Sequence, residues 1–382
     1  MNFEGFCKSI SNWEAIALSK GMTAQEIAMQ NAFVFTKLEQ NCQTLYCKRI
    51  PGTLPRAVEF IVKDKIITII THLKSKGNQQ PLGSGFQSVV KTSIVTFSTI
   101  LAPGTIIADK VPQKDQNYTN HIKQLAQEAN FLTKFTNTSN VRQLVAGPQD
   151  RLDKKGLLLL GMQYSLREKY SPKFPFDPQE KIKIAQDLVH ALQEMKEKGV
   201  VHRDLHMGNC GVTYDGKWIL HDFGLAQDEG TEESTPTSLK ISSPRILENK
   251  MNGKATKACH NDDAWALAII LYKIEYNKDP AFIHPLSIIE NISKGLDTHN
   301  NLKDAYALYT QKVAQVLSEL QIDAEENEAT ILSELILALF KVSGNYTEIA
   351  ADLSVDALPI QPSESTENLL NDLALDQDGY IS

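Results

Sequence analysis

"VVHRDLHMGNCGV", residues 200–212, holds the polar side chains on which the interpretation of this chain depends. Asp204, His206 and Asn209 place a carboxylate, an imidazole and an amide within six residues. Such a run is compatible with a phosphoryl-transfer site and equally with an ordinary polar turn. The stretch alone does not distinguish the two, so the motifs before and after it have to.

The segments on either side of this stretch have well-defined patterns. Before it, Asp177, Pro178 and Glu180 form the N-cap, first-turn proline and capping box of a helix that a glycine ends. After it, "LHDFG" puts Asp222 behind an apolar strand, 18 residues beyond Asp204. Their joint occurrence favours a site over a turn. The apolar stripe of the helix is Ile184, Leu188, Leu192 and Met195.

The other components of a phosphoryl-transfer site have candidates earlier in the chain. Such a site needs donors around the phosphates, oxygen ligands for Mg²⁺ and a lysine that orients the nucleotide. "PLGSGFQSVVK" places Gly83 and Gly85 between two strands, where backbone N–H groups can close over phosphates. In "IIADK", Lys110 ends an apolar strand and Ala108 is small enough to lie against an adenine ring. Glu128, on the helix predicted next, can form an ion pair with Lys110.

This ordered set of motifs resembles the protein kinase superfamily over residues 79–345. The resemblance implies that Lys110 holds the α- and β-phosphates of ATP and pairs with Glu128 on helix αC. It also implies that "LLGMQY" is the hinge segment that receives adenine through backbone groups. The nucleotide-binding residues that follow from the resemblance are Gly83, Ser84, Gly85, Val90, Ala108, Lys110 and Met162.

The same resemblance assigns the chemical step. Asp204 would orient the acceptor hydroxyl and take its proton, while Asn209 and Asp222 would hold Mg²⁺. Asp263, in "DAWALAIILY", would hold the catalytic-loop backbone, and Trp265 in the same run is expected in the core. The implied activity is ATP- and Mg²⁺-dependent phosphorylation of Ser/Thr hydroxyls of unidentified protein substrates, with autophosphorylation. The catalytic residues that follow are Asp204, Lys110, Glu128, Arg203 and His206.

The resemblance implies an α+β, bilobal kinase-like fold. Short β-branched runs between residues 82 and 111 predict hairpin-connected strands, and apolar helical patterns dominate the second half of the chain. We therefore predict a helical N-terminal extension over 1–78, a β-rich N-lobe over 79–163 and a helical C-lobe over 164–345. An acidic, flexible tail is predicted for 346–382. Two late helices are predicted at 302–320 and 324–342, the second of which begins at the acidic motif "DAEE", residues 323–326. The run 58–73 is ambiguous between helix and strand.

Several residues depart from the family's pattern. Ser88 stands for the third loop glycine, His206 for a lysine, and Arg245 for the acid of the "APE" anchor. A pseudokinase scaffold is therefore one alternative function. A small-molecule phosphotransferase is another, since "DLHMGN" is similar to the "DLHPGN" of aminoglycoside phosphotransferases. Arg203, the long segment that ends at Arg245 and the helix predicted after it favour protein substrates over small molecules, and the pseudokinase alternative stays open.

The segment after "DFG" is acidic and rich in hydroxyl groups. Phosphorylation there could order it through Arg203, or its native acids could already serve that purpose. Our hypothesis is constitutive or autophosphorylated activity. The hydroxyl residues concerned are Thr231, Ser234, Thr235 and Thr237.

Composition excludes several classes of protein. The 382 residues carry a net charge of −7, which argues against a nucleic-acid partner held by a general basic field. No apolar stretch is long enough for an integral membrane segment, and five cysteines without a CxxC pair argue against a disulfide framework or a zinc site. We expect a cytoplasmic protein. The divergent core with its N-terminal extension is similar to kinases that intracellular bacteria deliver into host cells, which suggests a secreted effector.

Overall fold

The computed structural model divides into two compact units. The first comprises the described residues up to Asn137 together with Arg142–Met162, and the second comprises Thr138–Val141 and the described residues from Gln163 onward. The predicted tail, 346–382, lies outside the described residues. The described ranges are 58–63, 66–72, 83–84, 88–98, 100–102, 104–151, 156–173, 175–232, 241–297, 301–325 and 330–342.

In the described residues, the first unit is built on a seven-stranded antiparallel sheet and one α-helix. The strand order is β1-β2-β4-β5-β7-β6, and β3 pairs with β4. β-branched residues dominate the long strands, as such residues pack well on a pleated surface. The elements are β1 Val58–Lys63, β2 Ile66–His72, β3 Gly83–Ser84, β4 Ser88–Ser98, β5 Ile106–Pro112, α1 Tyr118–Thr133, β6 Leu144–Ala146 and β7 Leu157–Leu160.

Strands β1 and β2 correct the prediction of a helical extension over 1–78. Val58 to Lys63 pairs with Ile66 to Thr71, and β2 continues into the sheet by pairing with β4. The sequence was ambiguous here because the run is apolar without a clear period, whereas pairing with β4 favours the strand. Residues 1–57, the rest of the predicted extension, lie outside the described residues.

The sheet has a buried apolar core on the face of Ile107 and Leu158. Ile61 and Ile70 from β1 and β2 belong to the same cluster and are at most 1% exposed. The first pair of strands therefore contributes to the core of the first unit and is more than an appendage. On helix α1, Leu125, Ala129 and Leu132 are buried, as their spacing predicts.

The described part of the second unit is mostly helical and contains two small sheets. The first sheet has the order β11-β10-β8, and the second pairs β12 with β9. The strands are β8 Tyr164–Ser165, β9 Val200–Val201, β10 Cys210–Val212, β11 Trp218–Leu220 and β12 Gln227–Asp228. The helices are α2 Leu166–Lys169, α3 Pro178–Glu197, α4 Pro244–Met251, α5 His260–Tyr276, α6 Ile283–Ser293, α7 Leu302–Glu325 and α8 Ile331–Val342.

Helix α3 begins and ends where its sequence predicts. The Asp177 carboxylate accepts the Glu180 N–H at 2.9 Å, Pro178 is the first helical residue, and Gly199 takes a left-handed φ of +60° behind the helix. The expected second half of the capping box is replaced, because the Glu180 carboxylate pairs with Lys169. All four residues of the predicted stripe are buried.

Two predictions for the later helices meet different outcomes. Trp265, expected in the core, is 0% exposed and packs against the rings of Phe282 and Phe340. The predicted start of the last helix at "DAEE" is wrong: α7 continues to Glu325, and α8 begins at Ile331. The acids of that motif would suit a helix start, but packing of the long apolar face of α7 outweighs a cap that contributes about 1 kcal/mol.

The described helices include none that combines the length and apolarity needed to cross a bilayer.

Candidate active site

Lys110 and Glu128 form a buried ion pair within the first unit. The Lys110 ammonium lies 2.7 and 3.0 Å from the two carboxylate oxygens of Glu128. The side chains are 10% and 1% exposed. Strand β5 delivers the lysine and helix α1 delivers the glutamate, so the pair joins the two elements. Desolvation makes the loss of either charge costly.

Three of the predicted nucleotide-binding residues share one face of the sheet. In antiparallel pairs, residues directly opposite each other project to the same side, and residues two apart along a strand do too. Val90 is opposite Lys110, and Ala108 is two residues from Lys110 on β5. Val90, Ala108 and Lys110 therefore line the face opposite to the core cluster that contains Ile107.

The predicted glycine loop begins in a hairpin. Gly83 pairs with Val90 and Ser84 with Val89, which leads the chain from β3 back along β4. Gly85 lies outside the described residues. Met162 lies two residues after the end of β7 and is the last residue of the first unit.

Gly156, which the sequence did not single out, packs on the backbone of Lys110. A Cβ built there would lie 2.4 Å from the Lys110 carbonyl oxygen, so only glycine fits without a shift. On the other face of β5, Arg151 pairs with Asp109 at 2.8 Å, and both side chains are buried. Neither contact can be predicted from the local sequence, because each joins residues that are about 40 positions or more apart in the chain.

In the second unit, Asn209 and Asp204 form one hydrogen-bonded group. The Asn209 Nδ2 donates to the Asp204 carbonyl oxygen at 2.8 Å and to its carboxylate at 3.3 Å. With both amide hydrogens directed at Asp204, the amide oxygen Oδ1 points away from it. The structure thus brings together a predicted catalytic residue and a predicted metal ligand.

The His202 side chain forms hydrogen bonds with the backbone of Asp204 and of His221, the residue before Asp222. Its ring is fully buried and lies 4.8 Å from the ring of Phe223. Nε2 lies 3.0 Å from the His221 carbonyl oxygen, and Nδ1 accepts the Asp204 N–H at 3.3 Å. This arrangement requires the neutral tautomer with its proton on Nε2. Burial lowers the pKa of His202, which favours the same neutral form.

A backbone hydrogen bond connects Asn209 to His221, the residue before Asp222. The His221 N–H donates to the Asn209 carbonyl oxygen at 3.0 Å, and Asp222 then adopts the left-handed conformation, with φ 67° and ψ 68°. The next residues, Phe223–Leu225, form a 3₁₀ turn in which Phe223 is buried. A non-glycine residue in this region is strained, and such strain often accompanies function.

The donor set of Asn209 and Asp222 fits Mg²⁺. An amide oxygen and a carboxylate are hard oxygen ligands, and Mg²⁺ typically takes one or two protein ligands together with substrate phosphates. The described part of the chain holds no group of three or more His, Cys, Asp or Glu residues suited to a metal ion. A closed, all-protein metal cage is therefore not what these residues form.

The Asp204 carboxyl is suited to accept a proton. Burial raises its pKa above the ordinary value, the nearby Asp222 carboxylate adds to the rise, and the hydrogen bond from Asn209 opposes it. A carboxylate with a raised pKa is a stronger general base than an exposed one. His206 Nε2 lies 3.8 Å from the Asp204 carboxylate.

His206 also caps the turn that carries Asn209. Its Nδ1 accepts the Gly208 N–H at 3.0 Å, and its carbonyl oxygen accepts the Asn209 N–H at 2.8 Å. The turn, Met207–Asn209, is a 3₁₀ helix with His206 as its N-cap. The histidine therefore has a structural partner that a lysine, which lacks an acceptor, could not bind.

Asp263 holds the loop that begins at His202. Its carboxylate accepts the His202 N–H at 2.6 Å and the Arg203 N–H at 2.9 Å. Arg203, with a φ of 68°, is 5% exposed and donates to the Leu225 carbonyl oxygen at 3.3 Å. The neighbouring Asp262, which the sequence did not single out, binds Ser243 and Arg245.

Comparison with known families decides what this arrangement is. The family model described as the protein kinase domain matches residues 77–343. The chain belongs to the protein kinase family. The resemblance predicted for 79–345 is confirmed, and the α+β kinase fold with it.

The chain is similar to kinases from distant organisms, two of which are named as serine/threonine-protein kinases. A probable serine/threonine-protein kinase of Corynebacterium efficiens is 28% identical over 174 residues, covering 44% of this chain and 26% of that protein. A serine/threonine-protein kinase of Arabidopsis thaliana is 33% identical over 99 residues, covering 25% and 19%. The hormonally up-regulated neu tumor-associated kinase of Mus musculus is 24% identical over 239 residues, covering 60% and 32%. The chain thus spans less than a third of the length of these relatives.

Proposed function

We propose that this protein transfers the γ-phosphoryl group of ATP, with Mg²⁺, to Ser/Thr hydroxyls of protein substrates. The observation that carries the proposal is the group formed by Asp204 and Asn209. The Asn209 amide donates to both the carbonyl oxygen and the carboxylate of Asp204. A backbone hydrogen bond also connects Asn209 to His221, the residue before Asp222. A general base and two metal ligands are the components that phosphoryl transfer requires of these positions.

The residues of the chain have separate roles in this proposal. Bound Mg²⁺ would neutralise charge on the phosphates, and Asn209 and Asp222 would supply its protein ligands. The Lys110 ammonium, fixed by Glu128, would bind the α- and β-phosphates. Gly83, Ser84, Gly85, Val90, Ala108 and Met162 would surround the nucleotide, as predicted from the sequence.

Asp204 would act on the acceptor. Its carboxylate would orient the hydroxyl and accept its proton as the new phosphate ester forms. The hydrogen bond from Asn209 fixes the carboxylate, and burial raises its pKa, which improves it as a base. Arg203 and His206 would position this loop, through Leu225 and Gly208 respectively.

The test is phosphoryl transfer from labelled ATP to an arrayed peptide library with Ser, Thr or Tyr at a fixed central position. We expect Mg²⁺-dependent label on Ser and Thr peptides with the wild type and none with Asp204→Ala or Lys110→Ala. Label only on Tyr peptides would contradict the assigned specificity. Label on aminoglycosides but on no peptide would identify a small-molecule kinase.

A nucleotide-binding scaffold without transfer is the second candidate. His206 favours it, because a kinase catalytic loop usually has a lysine here and the imidazole Nδ1 is bound to Gly208. The discriminating measurement is the thermal shift on adding Mg²⁺·ATP. A shift in the wild type that Lys110→Ala abolishes, without label on any acceptor, would support the scaffold. Cytoplasmic localisation and the effector role remain predictions from the sequence.

A further inference from the structure

Asp262, in the first turn of helix α5, is the acceptor for two residues at the start of helix α4. Its carboxylate accepts the Ser243 hydroxyl and forms an ion pair with the Arg245 guanidinium through Nη2. Arg245 Nε makes a longer contact of 3.4 Å to the same carboxylate. A single side chain therefore ties the beginning of α4 to the beginning of α5.

This anchor is buried at its acidic end. Ser243 is 0% exposed, and the Asp262 side chain is 9% exposed, whereas Arg245 is 32% exposed. Ser243 is also the N-cap of α4, since its hydroxyl oxygen accepts the Ile246 N–H at 3.4 Å. Arg245 Nη2 further donates to the Lys257 carbonyl oxygen at 2.9 Å. The polar groups at this junction are thus mutually satisfied.

Residues just before Asp262 also bind the beginning of the segment that follows "DFG". Gly230 N donates to the Ala258 carbonyl oxygen and Ala258 N donates to the Thr231 carbonyl oxygen, each at 2.9 Å. Glu232 forms an antiparallel bridge with Lys257. Residues 257–262, here called the anchor strip, therefore bind both flanks of the segment. Residues 233–240, between the flanks, lie outside the described residues.

The anchor strip is followed directly by Asp263, the residue that holds the catalytic loop. Asp262 binds the α4 side, while the next residue, Asp263, accepts the backbone N–H groups of His202 and Arg203. Two successive carboxylates at one helix N-terminus thus hold two different segments. Acids are favoured at that end of a helix by its dipole, which suits both roles.

We propose that the ion pair between Asp262 and Arg245 positions the segment that binds the protein substrate, residues 241–251. In this pair the base, Arg245, lies on the segment, and the acid, Asp262, lies on helix α5. This inference rests on the proposed function. The family's pattern has an acid at position 245. In this chain we expect the opposite, namely that an acid at 245 is harmful. Glutamate at 245 would face the buried Asp262 carboxylate, so it would disturb the segment more than a neutral residue would.

The experiment compares Arg245→Ala and Arg245→Glu in the wild-type and Asp262→Asn backgrounds. Lys250→Glu, a charge reversal at an exposed position of the same helix, is the matched control. We measure KM for the best library peptide, KM for ATP, and hydrogen-exchange protection of residues 241–251. A positioning role should raise the peptide KM while leaving the ATP KM nearly unchanged.

Arg245→Ala should raise the peptide KM by about tenfold, the effect of one lost charge-assisted hydrogen bond. Arg245→Glu should raise it further and lower protection at 241–251 more than alanine does, and Lys250→Glu should change neither. In the Asp262→Asn background, the difference between glutamate and alanine should disappear. Arg245→Glu with a peptide KM and protection equal to the wild type would overturn the inference.

Failure of the proposed function has a different signature. If the wild type labels no acceptor, hydrogen exchange still ranks the variants, and equal protection in Arg245→Ala and Arg245→Glu would overturn the anchor on its own. If transfer is present and the ATP KM rises with the peptide KM, Asp262 supports the whole domain and does not position the peptide segment.

Discussion

The imidazole of His206 lies directly against Gly208. Its Nδ1 accepts the Gly208 N–H at 3.0 Å, and a Cβ at Gly208 would lie 2.8 Å from the His206 Cε1. The backbone at Gly208 does not require glycine, because its φ is outside the left-handed region. The histidine ring alone therefore excludes a side chain at this position, and the two residues are coupled.

Gly208→Ala should be harmful only when His206 is present. Overpacking a fitted contact costs about 1–3 kcal/mol, and the displaced turn carries Asn209. We expect a lower Tm and slower transfer in Gly208→Ala, measured by thermal unfolding and the peptide assay. In His206→Ala/Gly208→Ala, the alanine at 208 should cost nothing beyond His206→Ala. Equal costs of the alanine in both backgrounds would contradict the coupling.

The Lys110–Glu128 pair predicts a separation of stability from activity. Glu128→Gln leaves the buried ammonium without its carboxylate, and removing one partner of such a pair costs about 3–5 kcal/mol. Lys110→Met/Glu128→Leu removes both charges and should unfold at higher denaturant concentration than Glu128→Gln. Both variants should fail to transfer phosphate. The measurements are chemical unfolding and peptide labelling; a double variant less stable than Glu128→Gln would refute this account.

Asp222 predicts a difference between two inactive variants. Asparagine tolerates the left-handed conformation at φ 67°, whereas alanine pays about 1 kcal/mol or more for it. Asp222→Asn should therefore stay closer to the wild type in free energy of unfolding than Asp222→Ala. Both should lose transfer about 10²-fold or more, because the carboxylate ligand is gone. The idea fails if Asp222→Ala is the more stable of the two.

Asp263 predicts opposite pH trends for stability and activity. Burial raises its pKa to about 7, against the hydrogen bonds from His202 and Arg203, and Asp262 adds to the rise. The unfolded carboxyl has a pKa of about 3.9, so between these values the folded state binds the extra proton and gains stability as the pH falls. Transfer should decline over the same range, because a protonated Asp263 holds the two backbone N–H groups less strongly.

Comparison with Asp263→Asn isolates this contribution from other titrating groups. The unfolding free energy of the wild type relative to the variant should increase from about pH 8 to about pH 5. The transfer rate of the variant should lack the step near neutrality. A wild-type advantage that stays constant between about pH 5 and about pH 8 would show that the Asp263 carboxyl is ionised throughout and would contradict this prediction.

Local sequence patterns predicted the parts whose cause is local. The cap and stripe of α3, the buried stripe of α1 and the core position of Trp265 agree with the structure. The adjacency of Asp204 and Asn209 follows from five residues of chain and a tight turn. Errors occurred where a local signal competed with packing, as at the acidic motif in α7 and in β1 and β2.

Sequence alone determined the family, because the order and spacing of glycines, lysine, acids and amide are properties of a linear chain and need no coordinates. It also identified Arg245 as a departure. Only the tertiary structure decided that Asp262 is its partner, that Gly156 supports Lys110, and that β1 and β2 complete a sheet. Ion pairs and strand pairings depend on where distant segments meet in space, and the burial that makes them strong exists only after the chain has folded.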